Sequence, residues 1–290
     1  QAIIDFKGEG QSAGINPATG LVLNYYVSKT DSVKKISLNI LDSNGKSLRT
    51  LSSEANPDFK KYDGGPSAEP KLPKNKGLNR FVWDMRTNTL PGIPDVYIEG
   101  SYRGYKMAEG KYQIQLIIDK DTLKTQAELL SHPDLKDTNI DKADYLKAMA
   151  QMHNNIKDMH EMINELYKKQ LQLSKLKSTL TKKSADSKLI AAVDSLVKDL
   201  KTWDEALVQR KSKAYDDVEN FPNKFTSDYL YLINQTENDW YRLNQPSIDL
   251  RNQMDPQWQS FKIKGLKIKN ERLPELNKKL WEANYGAVWE

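Results

Sequence analysis

A change in the spacing of apolar residues near residue 131 constrains the fold of this 290-residue chain more than any other feature. After Pro133, large apolar residues recur at alternating intervals of four and three positions, which is the heptad pattern of a helix packed along one face. The members of this stripe are Tyr145, Met149, Met152, Ile156, Met159, Ile163 and Leu166, continued by Leu173, Leu176 and Leu180. We therefore predict a helix of roughly 40 residues with coiled-coil-like packing.

A second apolar stripe follows the short turn segment 182–188. Its members repeat the same spacing and are Leu189, Val193, Leu196, Leu200, Trp203 and Leu207. Because the connection is short, the two helices should be antiparallel neighbours. Three more helical stretches are predicted, from about Phe225 to Asn244 (with Trp240 on its apolar face), from an N-cap at Ser247 toward Lys269, and from about Leu273 to Ala283. Residues 132–290 are thus predicted to form an antiparallel four-helix bundle with a long heptad-patterned helical hairpin.

Residues 1–131 show the two-residue alternation of β-strands instead. Short β-rich runs lie at 21–27, 33–41, 47–53, 79–86 and 110–119, and 120–130 looks like a further hairpin arm. Asn44-Gly45 favours a two-residue hairpin turn, because both residues tolerate positive φ. Five or six strands over about 110 residues predict an antiparallel immunoglobulin-like (FlgD-Ig-like) β-sandwich, so the fold class is α+β and multidomain.

Within the run 79–86, large side chains alternate with polar ones. Phe81, Trp83 and Met85 are predicted to face the core, whereas Asp84 and Arg86 should pair outside it. The run is therefore interpreted as the wall of a core rather than as a binding surface.

Two long loops, 54–77 and 87–110, interrupt the strands. Loops of this length in a compact domain are either functional or covered by a partner. The second loop supplies the candidate ligand-binding residues Tyr97, Tyr102, Tyr105 and Asp95. Tyrosine rings can stack on sugars, and they also anchor protein interfaces, so inter-domain packing is the favoured interpretation. Rings buried against the helices would favour a structural role, whereas exposed coplanar rings would favour sugar binding.

The residues that carry most catalytic and metal chemistry are scarce. The chain has no cysteine, which removes disulfides, thiolate ligands and cysteine nucleophiles, and it has three histidines, His132, His153 and His160. The last two lie seven positions apart among methionines, where a soft-metal site competes with simple core packing. Core packing is favoured, so no metal and no cofactor is expected.

Charge and motif content narrow the function further. The net charge is +5 with both signs mixed along the chain, which indicates a solvated surface rather than a nucleic-acid-binding face. No apolar run is long enough to cross a bilayer. Carboxylates that could form a glycosidase pair are Asp84, Asp95, Glu99 and Glu109, but no catalytic motif accompanies them and no catalytic residue is predicted.

Four motifs in order resemble a known family. They read "INPATGLVLNYYV", "KISLNILDSNGKSLRTLSS", "GLNRFVWDMR" and "MAEGKYQIQLIID", and the chain ends with "ERLPELNKKLWEANYGAV". This series resembles the C-terminal region of large bacterial BNR-repeat proteins, the sortilin-like or sialidase-like propeller family often labelled glycosyl hydrolases. Ala18 stands where a second proline is usual, and Ala108-Glu109-Gly110 replaces the usual proline before glycine.

The resemblance implies a secreted, periplasmic or cell-surface protein of the Bacteroidota type, with a β-propeller upstream as its partner. Any glycan-cleaving site would then be expected on the propeller, and the present chain would be a non-catalytic C-terminal accessory or interaction module. Two alternatives stay open: a chain that lends loop residues to a glycosidase site, and a stand-alone binding protein for peptide or polysaccharide. Other envelope proteins or glycans are the remaining expected partners.

Overall fold

The structure, a computed structural model, describes residues 18–28, 33–130, 142–237 and 241–288. Within these ranges an antiparallel β region precedes a helical region, so the coarse α+β prediction is confirmed. The chain divides into two compact units, and we refer to them as the β unit (1–57, 69–88 and 106–137) and the helical unit (58–68, 89–105 and 138–290). The boundary predicted between residues 131 and 132 lies outside the described residues. Parts of both long loops thus belong to the helical unit.

The β unit contains two antiparallel sheets in its described part. Strands β1 and β4 form one sheet, and the other has the order β3-β2-β5-β6. The bounds are β1 Leu21–Val27, β2 Ile36–Leu41, β3 Ser47–Ser52, β4 Gly77–Trp83, β5 Gly110–Ile118 and β6 Asp121–Leu129. A turn joins β2 to β3 at Asn44-Gly45, but the prediction of a two-residue turn was wrong, because Asp42 N bonds Lys46 O across a three-residue loop and of these two residues Gly45 alone takes a positive φ, of 82°. The Asp42 carboxylate accepts backbone hydrogen bonds from Asn44 and Lys46, both 2.9 Å long.

The core of the β unit is built from alternate residues of these strands. Phe81 and Trp83 are buried as predicted, and the Trp83 ring lies edge-on to Tyr112 at 5.6 Å between centroids. The prediction for Met85 was wrong, because β4 ends at Trp83 and Met85 takes a φ of 60° that leaves its side chain half-buried. The Asp84 carboxylate accepts a hydrogen bond from the backbone N–H of Arg86. The chain therefore turns here instead of continuing the strand.

The helical unit has six α-helices in its described part, with a π-helical turn at Ile268–Arg272. The bounds are α1 Lys142–Lys182, α2 Ser187–Leu207, α3 Asp217–Asn220, α4 Phe225–Glu237, α5 Gln245–Lys267 and α6 Leu273–Glu282.

Asp186 caps α2. The cap of α5 is Asn244, which accepts a hydrogen bond from the backbone of Ser247, so the prediction of a Ser247 cap was wrong. The predicted seam residue Trp240 lies outside the described residues.

The apolar stripes of α1 and α2 are buried. Every predicted member is buried except Leu176, which is half-buried. Helix α5 approaches these helices at Gly265, where an added Cβ would lie 2.6 Å from Met162 Sδ and 3.1 Å from Trp203 Cζ2. Ion pairs flank the contacts, with Lys262 bound to Asp158 and Lys269 bound to Glu165, each at 2.7 Å. A glycine at 265 is therefore needed for close packing of α5.

Residues 89–105, which we call the tyrosine segment, are anchored to the helices by hydrogen bonds. Asn164 of α1 donates to Gly92 O at 2.8 Å, and Asn234 of α4 bonds both the N–H and the carbonyl of Ser101. Six of its side chains are buried, namely Leu90, Ile93, Val96, Ile98, Tyr102 and Tyr105. Burial of one such side chain stabilises by about 1.5–3 kcal/mol, so the six together contribute on the order of 10 kcal/mol. That sum is comparable to the whole stability of a typical domain.

A fragment of residues 138–290 expressed alone should therefore lack a cooperative unfolding transition. It keeps the helices but loses the apolar side chains and the hydrogen bonds of the tyrosine segment. Urea unfolding followed by circular dichroism, together with amide NMR dispersion, checks this. A synthetic peptide of residues 89–105 added in trans should sharpen both signals. A fragment that unfolds cooperatively at the midpoint seen in the whole chain would contradict the expectation.

Candidate functional site

The structure separates the four predicted ligand-binding residues into two groups. Tyr102 and Tyr105 are buried, with 4% and 9% of their surface exposed. Asp95 is exposed and Tyr97 is half-exposed. All four lie on the tyrosine segment, in the helical unit. The segment therefore has an inner side that packs on helices and an outer side open to solvent.

On the inner side, two tyrosines contact the two histidines of α1. The Tyr102 ring lies 6.0 Å from the His160 ring and tilts by 52°, and the Tyr105 ring lies 5.0 Å from the His153 ring at 64°. Two helical turns separate the histidines, and each meets one tyrosine. This arrangement fits rings that hold the segment on the helix, since both tyrosines are removed from solvent.

His160 is fully buried and both of its ring nitrogens are engaged. Nδ1 lies 2.7 Å from the Pro91 carbonyl oxygen, and Nε2 lies 2.5 Å from Thr226 Oγ1. Because a carbonyl can only accept, Nδ1 carries the proton and the Thr226 hydroxyl donates to Nε2. Burial lowers the pKa of His160 to about 4, and the hydrogen bond to Pro91 opposes this shift. The ring is neutral at pH 7, and a metal could bind it only by displacing one of these partners.

The histidine and methionine stripe of α1 thus has an observed packing role at His160. Among the residues that the structure describes, no three His, Asp or Glu side chains are grouped in a way that could hold a metal ion.

Loop 58–68 adds a third tyrosine to the inner side. The Tyr62 ring packs against Gly65 and Gly92, and an added Cβ at Gly92 would lie 2.0 Å from the Tyr62 hydroxyl. Burial and the charge of Asp95 raise the pKa of Tyr62 to about 12. Burial, with a smaller effect of Tyr62, also raises the pKa of Tyr102. Both phenols stay protonated at neutral pH, so neither acts as a base there.

On the outer side, the tyrosine segment pairs with the loop that follows α2. The N–H of Tyr97 donates to Ser212 O at 2.9 Å, and Lys213 Nζ donates to Asp95 O at 2.5 Å. The Tyr97 ring meets Tyr215 at 6.4 Å with an interplanar angle of 84°. Sequence reasoning missed Tyr215, which stands alone in a polar loop and carries no local signal of this contact.

The four carboxylates considered for glycosidase chemistry are divided between the two units. Asp95 and Glu99 are exposed on the helical unit, while Asp84 and Glu109 are half-buried in the β unit. The backbone hydrogen bond that Asp84 accepts from Arg86 indicates a role in the turn after β4.

Two polar clusters in the helical unit, each partly buried, were not predicted. In the first, Tyr229 donates to Asp255 at 2.6 Å while Asn155 donates to both residues. In the second, Arg210 binds both oxygens of Asp204, at 2.6 and 2.7 Å, and its guanidinium lies 3.4 Å from the centroid of Tyr167. Both clusters are internally hydrogen-bonded, which is how buried polar groups avoid the cost of desolvation.

No protein-family model, curated protein or solved structure matches the chain. Within the described ranges, no helix combines the length and the apolar character needed to cross a membrane.

Protonation of His160 should make stability depend on pH. An unfolded histidine has a pKa near 6.5, whereas folded His160 has a pKa of about 4. Between these values the unfolded state binds more protons, so the free energy of unfolding falls as pH drops from 6.5 to 4. The total loss is about 3 kcal/mol. Urea unfolding of the helical unit at a series of pH values measures it.

The His160→Gln variant should lose this part of the pH dependence, and a His153→Gln variant should keep it. An equal slope between pH 4 and 6.5 in the His160→Gln variant and the unmodified chain would show that another group is responsible.

Proposed function

We propose that this chain is a non-catalytic accessory module whose tyrosine segment is a structural anchor. The observation that carries the proposal is the burial of Tyr102 and Tyr105 against His160 and His153 of α1. A sugar platform needs ring faces open to a ligand, and these two rings are enclosed by protein. The engaged, neutral imidazole of His160 likewise favours packing over acid–base chemistry at neutral pH.

The proposal includes a finer description of the fold. The β unit is an immunoglobulin-like sandwich, supported by its two antiparallel sheets and by the pairing of sequence-distant strands, β1 with β4 and β2 with β5. Helices α1 and α2 form a heptad-patterned hairpin, supported by the buried stripes on both helices and the short connection between them.

The parent protein, in this proposal, is a secreted or cell-envelope BNR-repeat propeller protein of the sortilin-like or sialidase-like kind. The support is the order and spacing of the four β-half motifs, from "INPATGLVLNYYV" to "MAEGKYQIQLIID". The upstream propeller is the proposed partner. Repeated Ser-x-Asp-x-Gly-x-x-Trp segments encoded before Gln1 are what this part of the proposal requires.

A second candidate function is a peptide- or carbohydrate-binding module. The outer side of the tyrosine segment favours it, because Asp95 and Tyr97 reach the surface and Tyr97 meets the exposed Tyr215. This candidate uses different residues from the structural anchor, so both roles are compatible with one segment.

Substitutions at Tyr102 test the anchor role. Tyr102→Ala leaves a cavity the size of an aromatic ring and should destabilise the helical unit by about 3–5 kcal/mol. Tyr102→Phe should change stability by less than about 1 kcal/mol, since the hydroxyl has no hydrogen-bond partner among the described residues. Urea unfolding of both variants measures the difference.

A parallel assay with fluorogenic glycosides and sialosides follows hydrolysis by the chain and by its Tyr102→Phe variant. The proposal expects no turnover above background from either. Turnover by the unmodified chain that the Phe variant loses, with unfolding unchanged, would refute the non-catalytic assignment.

A further inference from the structure

Tyr97 and Tyr215, which we call the aromatic corner, form two nearly perpendicular walls on the outer side of the tyrosine segment. Their planes meet at 84° with 6.4 Å between centroids, and Tyr215 is 63% exposed. With most of its ring exposed, Tyr215 gains little stabilisation from the one ring contact, with Tyr97, that it makes among the described residues. The corner is therefore a candidate surface for an additional partner.

Short backbone contacts hold both walls in place before any ligand arrives. Gly64 lies behind Tyr97, and a Cβ added to this glycine would be only 2.6 Å from Tyr97 Cδ2. Loop 58–68 therefore packs directly on the Tyr97 ring. The Asp217 carboxylate accepts backbone hydrogen bonds from Lys213 at 2.6 Å and Ala214 at 3.1 Å, just before Tyr215. A preformed site loses less conformational freedom on binding than a flexible one.

Two carboxylates act on the corner, in a chain whose net charge is +5. Burial is the largest cause that raises the pKa of Tyr97. The negative charges of Glu99 and Asp63 raise it further, so both carboxylates act on this ring. Within the described part of the chain, neither carboxylate has a lysine or arginine nitrogen within 4.0 Å. Lys213, a cation of the same loop, donates to the neutral backbone oxygen of Asp95 and so keeps its positive charge. Within the described part of the chain, the corner thus combines aromatic faces with two carboxylates that form no ion pair.

We propose that the aromatic corner binds a lysine or arginine side chain of a peptide partner. The ring faces attract a cation through their quadrupoles, and Asp63 and Glu99 add direct charge attraction. Perpendicular rings can both contact one compact cationic group, whereas a sugar ring needs one broad flat face. The proposal rests on the second candidate function, a peptide-binding module, and names the chemistry of its partner.

The test is an NMR titration of the whole chain carrying ¹³C-labelled tyrosine rings with an acetylated tetralysine peptide. The ring signals of Tyr97 and Tyr215 should shift along a saturating curve.

Tyr215→Ala should weaken the affinity for the peptide about two- to fivefold, the value of one exposed cation–π contact. The Asp63→Asn/Glu99→Gln double variant should also weaken it and reduce its dependence on salt. Tyr231→Ala, which removes a similarly exposed ring on α4 (58%), is the matched control and should change nothing.

Three results would overturn the proposal. The first is no shift of these signals at millimolar peptide. The second is an affinity that the Tyr215 and carboxylate variants leave unchanged. The third is that neutral maltotetraose shifts the same signals to saturation while the peptide does not, which would assign the corner to sugars. Thermal unfolding confirms that each variant is folded. The glycoside assay decides the non-catalytic assignment independently, so the two proposals can fail separately.

Discussion

Helix α1 buries polar side chains as well as its apolar stripe, and their need for hydrogen-bond partners determines where the rest of the helical unit can lie. A buried polar group without a partner costs about 1–3 kcal/mol. His160 finds its partners on the tyrosine segment and on α4, and Asn155 finds them on α4 and α5. The apolar stripe alone would be compatible with several packing arrangements, since hydrophobic contacts are not directional. The polar residues make one arrangement better than the others.

The sequence predicted those elements whose signal is local. The stripes of α1 and α2 recur at fixed short intervals, and the structure places each within one helix, Lys142–Lys182 and Ser187–Leu207. Asn44-Gly45 likewise marks a turn, although of these two residues Gly45 alone takes a positive φ. Met85 failed because alternation describes a strand only while the strand continues, and a positive φ ends it there. The Ser247 cap failed because Asn244 is an equally good capping residue three positions earlier. The sequence pattern could not choose between them.

The sequence predicted which residues belong to the candidate site but not what each of them contacts. Tyrosine is amphipathic, so a loop rich in it indicates contact without indicating whether the contact is with protein or with a ligand. The two sides of the tyrosine segment became distinct only through partners far away in sequence. Tyr102 meets His160, and the Ser101 backbone meets Asn234, 133 positions later. No local pattern encodes pairings over such distances.

The placement of the tyrosine segment in the helical unit also has a consequence for the order of events during synthesis. Residues 89–105 leave the ribosome well before α4 exists, yet Ser101 is bonded to Asn234 in the finished fold. At about 5–20 residues per second, the segment waits roughly 7–27 seconds for that partner. During the first part of this interval, until α1 (Lys142–Lys182) has been made, its apolar side chains have no helical surface to cover them. The helical unit is therefore completed only after the C-terminal helices have been translated. The chain most needs protection from aggregation while only its N-terminal half has been made.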